Sequence, residues 1–555
     1  MRIGRRRFLV GTAGGLCASI SGGGSALAVT SMPRMKLSKF VTDPARVAAL
    51  KKGVATMKSR KPSSPKSWFY QAAIHAVSNA FLQQALQQDA GVQAVVNDGR
   101  FWTKCPHFGA PSADFLLWHR AYLYYFERLL REASGDPTLS VPYWDYGDPA
   151  DRAFPDLFAD PDIDPADPQK RPRNPLFDSR RDQALMYGVV ELSDDVVSAA
   201  PALSQKLFFG DTEDSGLAGA VLDSNPRTRG VLEQIPHDVI HFAVGGAVGV
   251  NDPAATQVGG LMSSPPTAAF DPIFWVHHAN IDRIWRTWDC TSGNSWGNPP
   301  DATWFAKKDW YFNDVDGSIQ SHDRLYYLTD GNLPVKYDTD TGGCIPLSKN
   351  PPTPKPAPLV VAANGGGATP MAASAAPPAS GSVVLDMKAG TMSLPPDRPT
   401  NQLLAIPPMK VFAAPSAPAA LSAAPSGTRR RVILEIAGVD YKAPPSVGYN
   451  VFVNLPERAS PDRASPNFVG TLALFGLKHE PMAGMKDEMS TDTAQQFDVT
   501  RFVRSTPDLK QLQVTIMPFS LYRPRKGEVP KPAEAGVVLG GMRLLVVEEA
   551  TLPNR

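Results

Sequence analysis

The 555-residue sequence lacks any real excess of charge: 56 Lys and Arg stand against 54 Asp and Glu, a formal net charge of +2. So balanced a chain gives no sign of a polyanionic partner, which removes nucleic acid as a ligand class. A convincing membrane anchor is also missing, because the apolar run inside MRIGRRRFLVGTAGGLCASISGGGSALA (residues 1–28) is too short and too rich in glycine to span a bilayer. Cysteine and histidine are scarce, at four and nine residues. The places where these few reactive side chains stand therefore carry most of the chemical information.

What is present begins with size. A chain of this length predicts two to four domains, and an apolar fraction of 43% is ordinary for a globular protein. Residues 1–28 have a basic end, a mildly apolar Gly/Ala-rich run and the small-residue sequence Ala26-Leu27-Ala28, the pattern of a cleavable export signal. Gly4-Arg5-Arg6-Arg7-Phe8-Leu9 resembles the twin-arginine signal, so the expected location is periplasmic or extracellular. Cleavage would leave 52 basic and 54 acidic residues, and Cys105, Cys290 and Cys344. An odd number of cysteines in an oxidising compartment calls for an explanation.

Between residues 40 and 134, stretches such as WFYQAAIHAVSNAFLQQALQ and WHRAYLYYFERLLREA place apolar residues at helical spacing. From 135 to 235 clusters of Pro, Asp and Arg read as long surface loops with short helices between them. IPHDVIHFAVGG, at 235–246, offers another helix start and a glycine stop. Residues 350–380 are Pro/Ala/Gly-rich and read as a linker, and a second low-complexity run occupies 412–430. RVILEIAGV, YNVFVNL, FVGTLALFG, QLQVTIMPF and MRLLVVEE then read as strands of a β-sandwich or small barrel. The expected organisation is a signal at 1–28, a helical domain at 29–349, the linker, and an all-β domain at 381–555.

Seven of the nine histidines (75, 107, 119, 237, 241, 277 and 278) fall in the helical region, within aromatic and apolar segments where an unpartnered imidazole is costly. His237 and His241 are four apart, so on a helix both rings project from one face toward one metal. Grouping gives one trio of 75, 107 and 119 and another of 237, 241 and either 277 or 278. Three imidazoles without thiolate or carboxylate suit copper or zinc, and of these only copper takes part in redox chemistry with dioxygen. Asp282 lies four residues beyond His278 and reads as a group orienting the region from behind the ligands.

DPIFWVHHANIDRIW resembles the second copper signature of the tyrosinase family, and WHRAYLYYFE resembles the end of its first. VPYWDY (141–146) and HDVIHFAVGG (237–246) occur in the same order, so that residues 65–320 are similar to bacterial tyrosinases and polyphenol oxidases, the type 3 copper proteins. The resemblance implies a mainly α catalytic domain, a four-helix bundle holding two copper ions. His75, His107 and His119 would hold one ion, and His237, His241 and His278 the other. It places the ligand at the second histidine of the adjacent pair, leaving His277 as an inner neighbour that hydrogen-bonds or faces the substrate. Cys105, two residues before His107, matches the position of a Cys–His thioether in some relatives; the other reading is an unmodified buried cysteine. With the thioether formed, Cys290 and Cys344 are left to pair. One departure is that His107 precedes His119 by twelve positions, where the family has nine, which reads as a loop insertion.

The resemblance further implies oxidation of phenols and o-diphenols to o-quinones, with dioxygen and a phenolic small molecule as partners. It leaves a copper-delivery protein open. Asp238, just after the first histidine of the second trio, reads either as a base accepting the phenol proton or as a helix cap, and Glu233 as its helper. The C-terminal β region resembles a domain that keeps relatives latent by covering the site, and the run at 412–430 is an accessible place to cut. Competing readings are a catechol oxidase or o-aminophenol oxidase without monophenol hydroxylation and, in a different class, an oxygen carrier of haemocyanin type.

Overall fold

The computed structural model describes residues 33–106, 113–163, 173–210, 216–220, 228–246, 259–340, 344–354, 383–406, 428–457, 461–477, 494–505, 509–525 and 536–550. The expected signal at 1–28, most of the 350–380 linker and nearly all of the 412–430 run lie outside these residues. Within them a helical core precedes a region of β-sheet, the fold class expected.

Five helices build the part that matters for the site. Helix α1 (Pro44–Ser59) is capped by Asp43, whose carboxylate accepts from the Ala45 and Arg46 amides, with proline at the first helical position, where its missing N–H has no cost. Helix α2 (Trp68–His75) starts at Ser67, whose hydroxyl accepts from Tyr70 N. Helix α3 (Asp114–Ser134) ends where Gly135 turns left-handed, at φ 75°. Helix α4 (Val239–Gly245) stops against a neighbouring loop: a Cβ on Gly245 would lie 2.3 Å from Ser263 N, so only glycine fits. Helix α5 (Ile273–Asp289) opens at the Asp-Pro signature. There Asp271 accepts from Ile273 N and from Arg181, whose Nε donates to both carboxylate oxygens (2.9 and 3.2 Å) and whose Nη2 donates to one (2.6 Å), with both residues fully buried. A charge at that depth persists only when paired.

A second buried ionic knot closes the helical core. Arg34 donates to Glu127 (2.9 Å), Asp282 (3.1 Å) and the Tyr337 hydroxyl (3.0 Å), while Arg120 donates to the other oxygen of Asp282 (2.5 Å) and lies over the Trp285 ring. Residues near the start and end of the helical part are thereby tied to α3 and α5. Cys290, just past α5, is disulfide-bonded to Cys344 with Cα atoms 5.4 Å apart.

The β part consists mainly of two four-stranded antiparallel sheets. The strands are β1 (Val190–Leu192), β2 (Val383–Ser393), β3 (Thr400–Ala405), β4 (Thr428–Ala437), β5 (Val447–Val453), β6 (Phe468–Thr471), β7 (Gln495–Asp498), β8 (Gln511–Ser520), β9 (Tyr522–Pro524) and β10 (Val538–Ala550). One sheet has the order β7-β4-β10-β2 and the other β6-β5-β8-β3. Register places Leu434 opposite Leu544 and Val451 opposite Ile516, all buried, as packed sheet faces require. Both sheets therefore need β2 and β3 from before the low-complexity run as well as the strands after it.

The two parts are stitched together. Strand β1, from the helical part, pairs antiparallel with β9, and Arg523 Nε donates to Glu191 (2.5 Å) across that ribbon. The Tyr522 hydroxyl donates to Ala243 O in α4 (2.7 Å), and Thr471 N donates to the Gln234 side chain (3.2 Å). Strand β1 was legible only as part of a loop stretch, because three residues acquire strand character only from a partner more than 300 positions away.

Candidate metal centre

Four helical segments deliver the histidines. His75 is the last residue of α2 and His119 lies in α3; His237 sits in the turn before α4 and His241 within α4; His277 and His278 share α5. Each of these six rings is buried. His107 and His479 lie outside the described residues, and His322 stacks on Tyr326 away from the others.

The side chains form two groups, each with donor atoms within 4.8 Å of one another: His75, Cys105 and His119 in the first, and His237, His241, His277 and His278 in the second. The groups are neighbours, since His119 stacks on His278 with centroids 4.5 Å apart, and Phe115 lies against both His119 and His237. In the second group the Nε2 atoms of His241 and His278 approach to 3.1 Å.

Hydrogen bonds aim the rings. Nδ1 of His75 lies 3.0 Å from Pro265 O, that of His119 2.7 Å from Phe115 O, and that of His241 3.0 Å from Met262 O. Nδ1 of His237 lies 2.9 Å from Asp238 Oδ1. A carbonyl or carboxylate there fixes the proton on Nδ1 and leaves the Nε2 lone pair for a metal, the arrangement ligating histidines use. Burial disfavours the imidazolium: it pushes His277 down to about 3 and His278 well below the ordinary histidine range. Converging imidazoles, four of them held from behind by acceptors, fit a nitrogen-bound copper pair.

Asp238 lies fully buried with both oxygens engaged, one by His237 and the other by an ion pair to Arg229. Its side chain makes no capping bond to α4. Burial raises this carboxyl to about 7 against the opposing pull of Arg229, and the Glu233 charge adds to the rise. Glu233 accepts from Arg229 Nη2 at 3.0 Å. Asp282 bonds Arg34, Arg120 and Tyr337, all within the ionic knot. Cys105 is pinned beside the end of α2 by its amide bond to His75 O, and its sulfur lies 3.5 Å from His119 Nε2.

Three residues escaped the sequence reading. Tyr146, inside the quoted VPYWDY, places its hydroxyl 3.3 Å from His277 Nδ1. Arg229 stands beside two carboxylates without any sequence pattern to flag it. Phe475, read as part of a β-rich run, stacks on His241 with centroids 4.4 Å apart and meets His237 edge-on at 5.9 Å. The next residue fixes it there: Gly476 adopts φ 82° and donates its amide to Ser263 O at 3.1 Å. A side chain would strain that left-handed backbone.

Comparison with known proteins points to the same family as the sequence motifs. The family described as the common central domain of tyrosinase matches residues 65–290, and a domain family of unknown function matches 404–526. A tyrosinase of Hahella sp. (strain CCB-MM4) is 30% identical over 459 residues, covering 79% of this chain and 84% of that protein. A (+)-larreatricin hydroxylase of Larrea tridentata is 28% identical over half of this chain, which spans 43% of the plant protein. Among solved structures, latent apple tyrosinase superposes with a TM-score of 0.52 at 19% identity, covering 94% of this chain and 98% of that one.

Proposed function

Because the chain belongs to the tyrosinase family of type 3 copper oxidoreductases, we propose that it oxidises phenols and o-diphenols to o-quinones with dioxygen, and that its β region holds it latent. The observation that carries the first half is the convergence of buried imidazoles, of which His75, His119, His237 and His241 have Nδ1 facing an acceptor. His75, His119 and, by resemblance, His107 would hold one copper, and His237, His241 and His278 the other; two coppers bound there supply the electron transfer between phenol and dioxygen.

The remaining residues position and exclude. Asp238 holds His237 through Nδ1–H, and Arg229 holds Asp238, so a carboxylate–histidine pair faces the second metal position. Glu233, beside them, is the candidate to take up a phenol proton. The aromatic rings of Phe115 and Phe274 lie against the ligand histidines and keep water from them.

Latency rests on Phe475, which occupies the face of His241 that a planar phenol would approach. A nick within 412–430 leaves β2 and β3 hydrogen-bonded to β10 and β8, so it does not by itself lift Phe475 away. A cut between 355 and 382 removes the covalent tether of β2 to β10 to the helical part, leaving the β1–β9 pairing and the Tyr522 and Gly476 hydrogen bonds to hold them until they dissociate. Oxygen uptake on a monophenol and on a diphenol, before and after protease treatment at each position, tests both halves. Uptake on neither substrate after release would defeat the proposal. Export by the twin-arginine route belongs to the same proposal; the Cys290–Cys344 bridge supports an oxidising destination, and the N-terminal residue of the secreted protein tests it.

A further inference from the structure

The second group contains four imidazoles where three are needed. His277 is fully buried; the His237 backbone carbonyl faces its ring, and its Nε2 makes no hydrogen bond of normal geometry among the described residues. It faces the same space as the others: its ring stacks on His237 at 5.4 Å, with 21° between planes, and meets His241 edge-on at 4.8 Å. Its Nδ1 is held by the Tyr146 hydroxyl, as the Nδ1 atoms of His237 and His241 are held by their own acceptors.

His278 is placed differently. Its Nδ1 has no hydrogen-bond partner among the described residues, and its ring lies closer to His119 of the first group, at 4.5 Å, than to His237 at 4.9 Å or His241 at 5.3 Å. The anchored donors of the second group are thus 237, 241 and 277, while 278 stands between the groups without a support of its own.

We propose that His277 is a fourth donor of the second metal site, receiving the incoming ion together with His237 and His241 before His278 replaces it. With Nδ1–H donating to the Tyr146 oxygen, the Nε2 lone pair of His277 is free to bind. His278, unanchored and adjacent, then completes the trio beside the first site. This rests on the two-copper reading, which the metal content of the wild-type chain checks separately.

The test loads the full-length apo chain with Cu(I) and follows metal per chain by mass spectrometry over time. Wild type reaches two ions. His278→Gln still binds two, because His277 remains; His277→Gln reaches two but takes up the second at least tenfold more slowly. Tyr146→Phe, which leaves every ring in place and removes the support of His277, also slows that step. A single ion in His278→Gln, or wild-type uptake in either His277→Gln or Tyr146→Phe, overturns the proposal. Should His278→Gln not fold, the uptake rate of Tyr146→Phe decides. A wild-type chain holding only one ion defeats the two-copper reading and this inference with it.

Discussion

Replacing Phe475 by Ala in the full chain removes the ring stacked on His241 and leaves the stitches at β1–β9, Tyr522 and Gly476 intact. The ring is only 8% exposed, so its loss belongs to the range of buried Phe→Ala changes, about 3–5 kcal/mol, of which about 1 kcal/mol is the aromatic contact itself. The docking of this loop bears that loss, since the ring packs across the boundary between the two parts. Taking about 3 kcal/mol and tenfold per 1.4 kcal/mol, the uncovered population rises roughly a hundredfold. Oxygen uptake on catechol, with wild type and variant carrying equal copper, should therefore rise at least tenfold without protease. Phe475→Leu should fall between them. An unchanged rate in Phe475→Ala, alongside a large gain after cleavage between 355 and 382, would refute the assignment of the cover to this ring.

Arg34→Ala strips Glu127 and Asp282 of their buried guanidinium; loss of one partner of such a pair costs about 3–5 kcal/mol, and thermal unfolding should shift down by about 10 °C, whereas a shift under about 2 °C would show the knot to be ornamental. Cys290→Ser opens a loop of 54 residues, whose chain-entropy contribution is about 4 kcal/mol, so reductant should lower the melting temperature of wild type and leave that of the variant unchanged. Asp238→Ala removes the acceptor behind His237 and should weaken copper retention by about 10–100-fold, reducing monophenol and diphenol turnover by the same factor; a selective loss on monophenols would instead make Asp238 the base.

The parts of the site carried by local patterns were readable in the sequence. His237 and His241 at helical spacing, the His277-His278 pair in α5 and the Asp271-Pro272 start are short-range signals, and helix geometry converts them directly into positions. The five strand runs after residue 430 were legible from β-branched and aromatic residues gathered between turn formers, and Val447–Val453 is buried along its whole length. What stayed hidden depends on contacts between distant segments. Nothing within FVGTLALFG distinguishes Phe475 from an ordinary core residue, because its significance comes from α4. The destination of Asp282 was likewise unreadable, as its partners Arg34, Arg120 and Tyr337 come from three separate stretches. His107 lies outside the described residues, so the first group is seen as His75, Cys105 and His119.

Two adjacent sets of imidazoles would each hold one copper. Copper counted per folded chain in wild type, in the double variant His75→Ala/His119→Ala and in the double variant His237→Ala/His241→Ala separates the outcomes, since His241→Ala alone would leave His237, His277 and His278 in the second group. Two ions in wild type and one in each double variant are expected; a single ion in wild type that both double variants retain would overturn the two-copper reading.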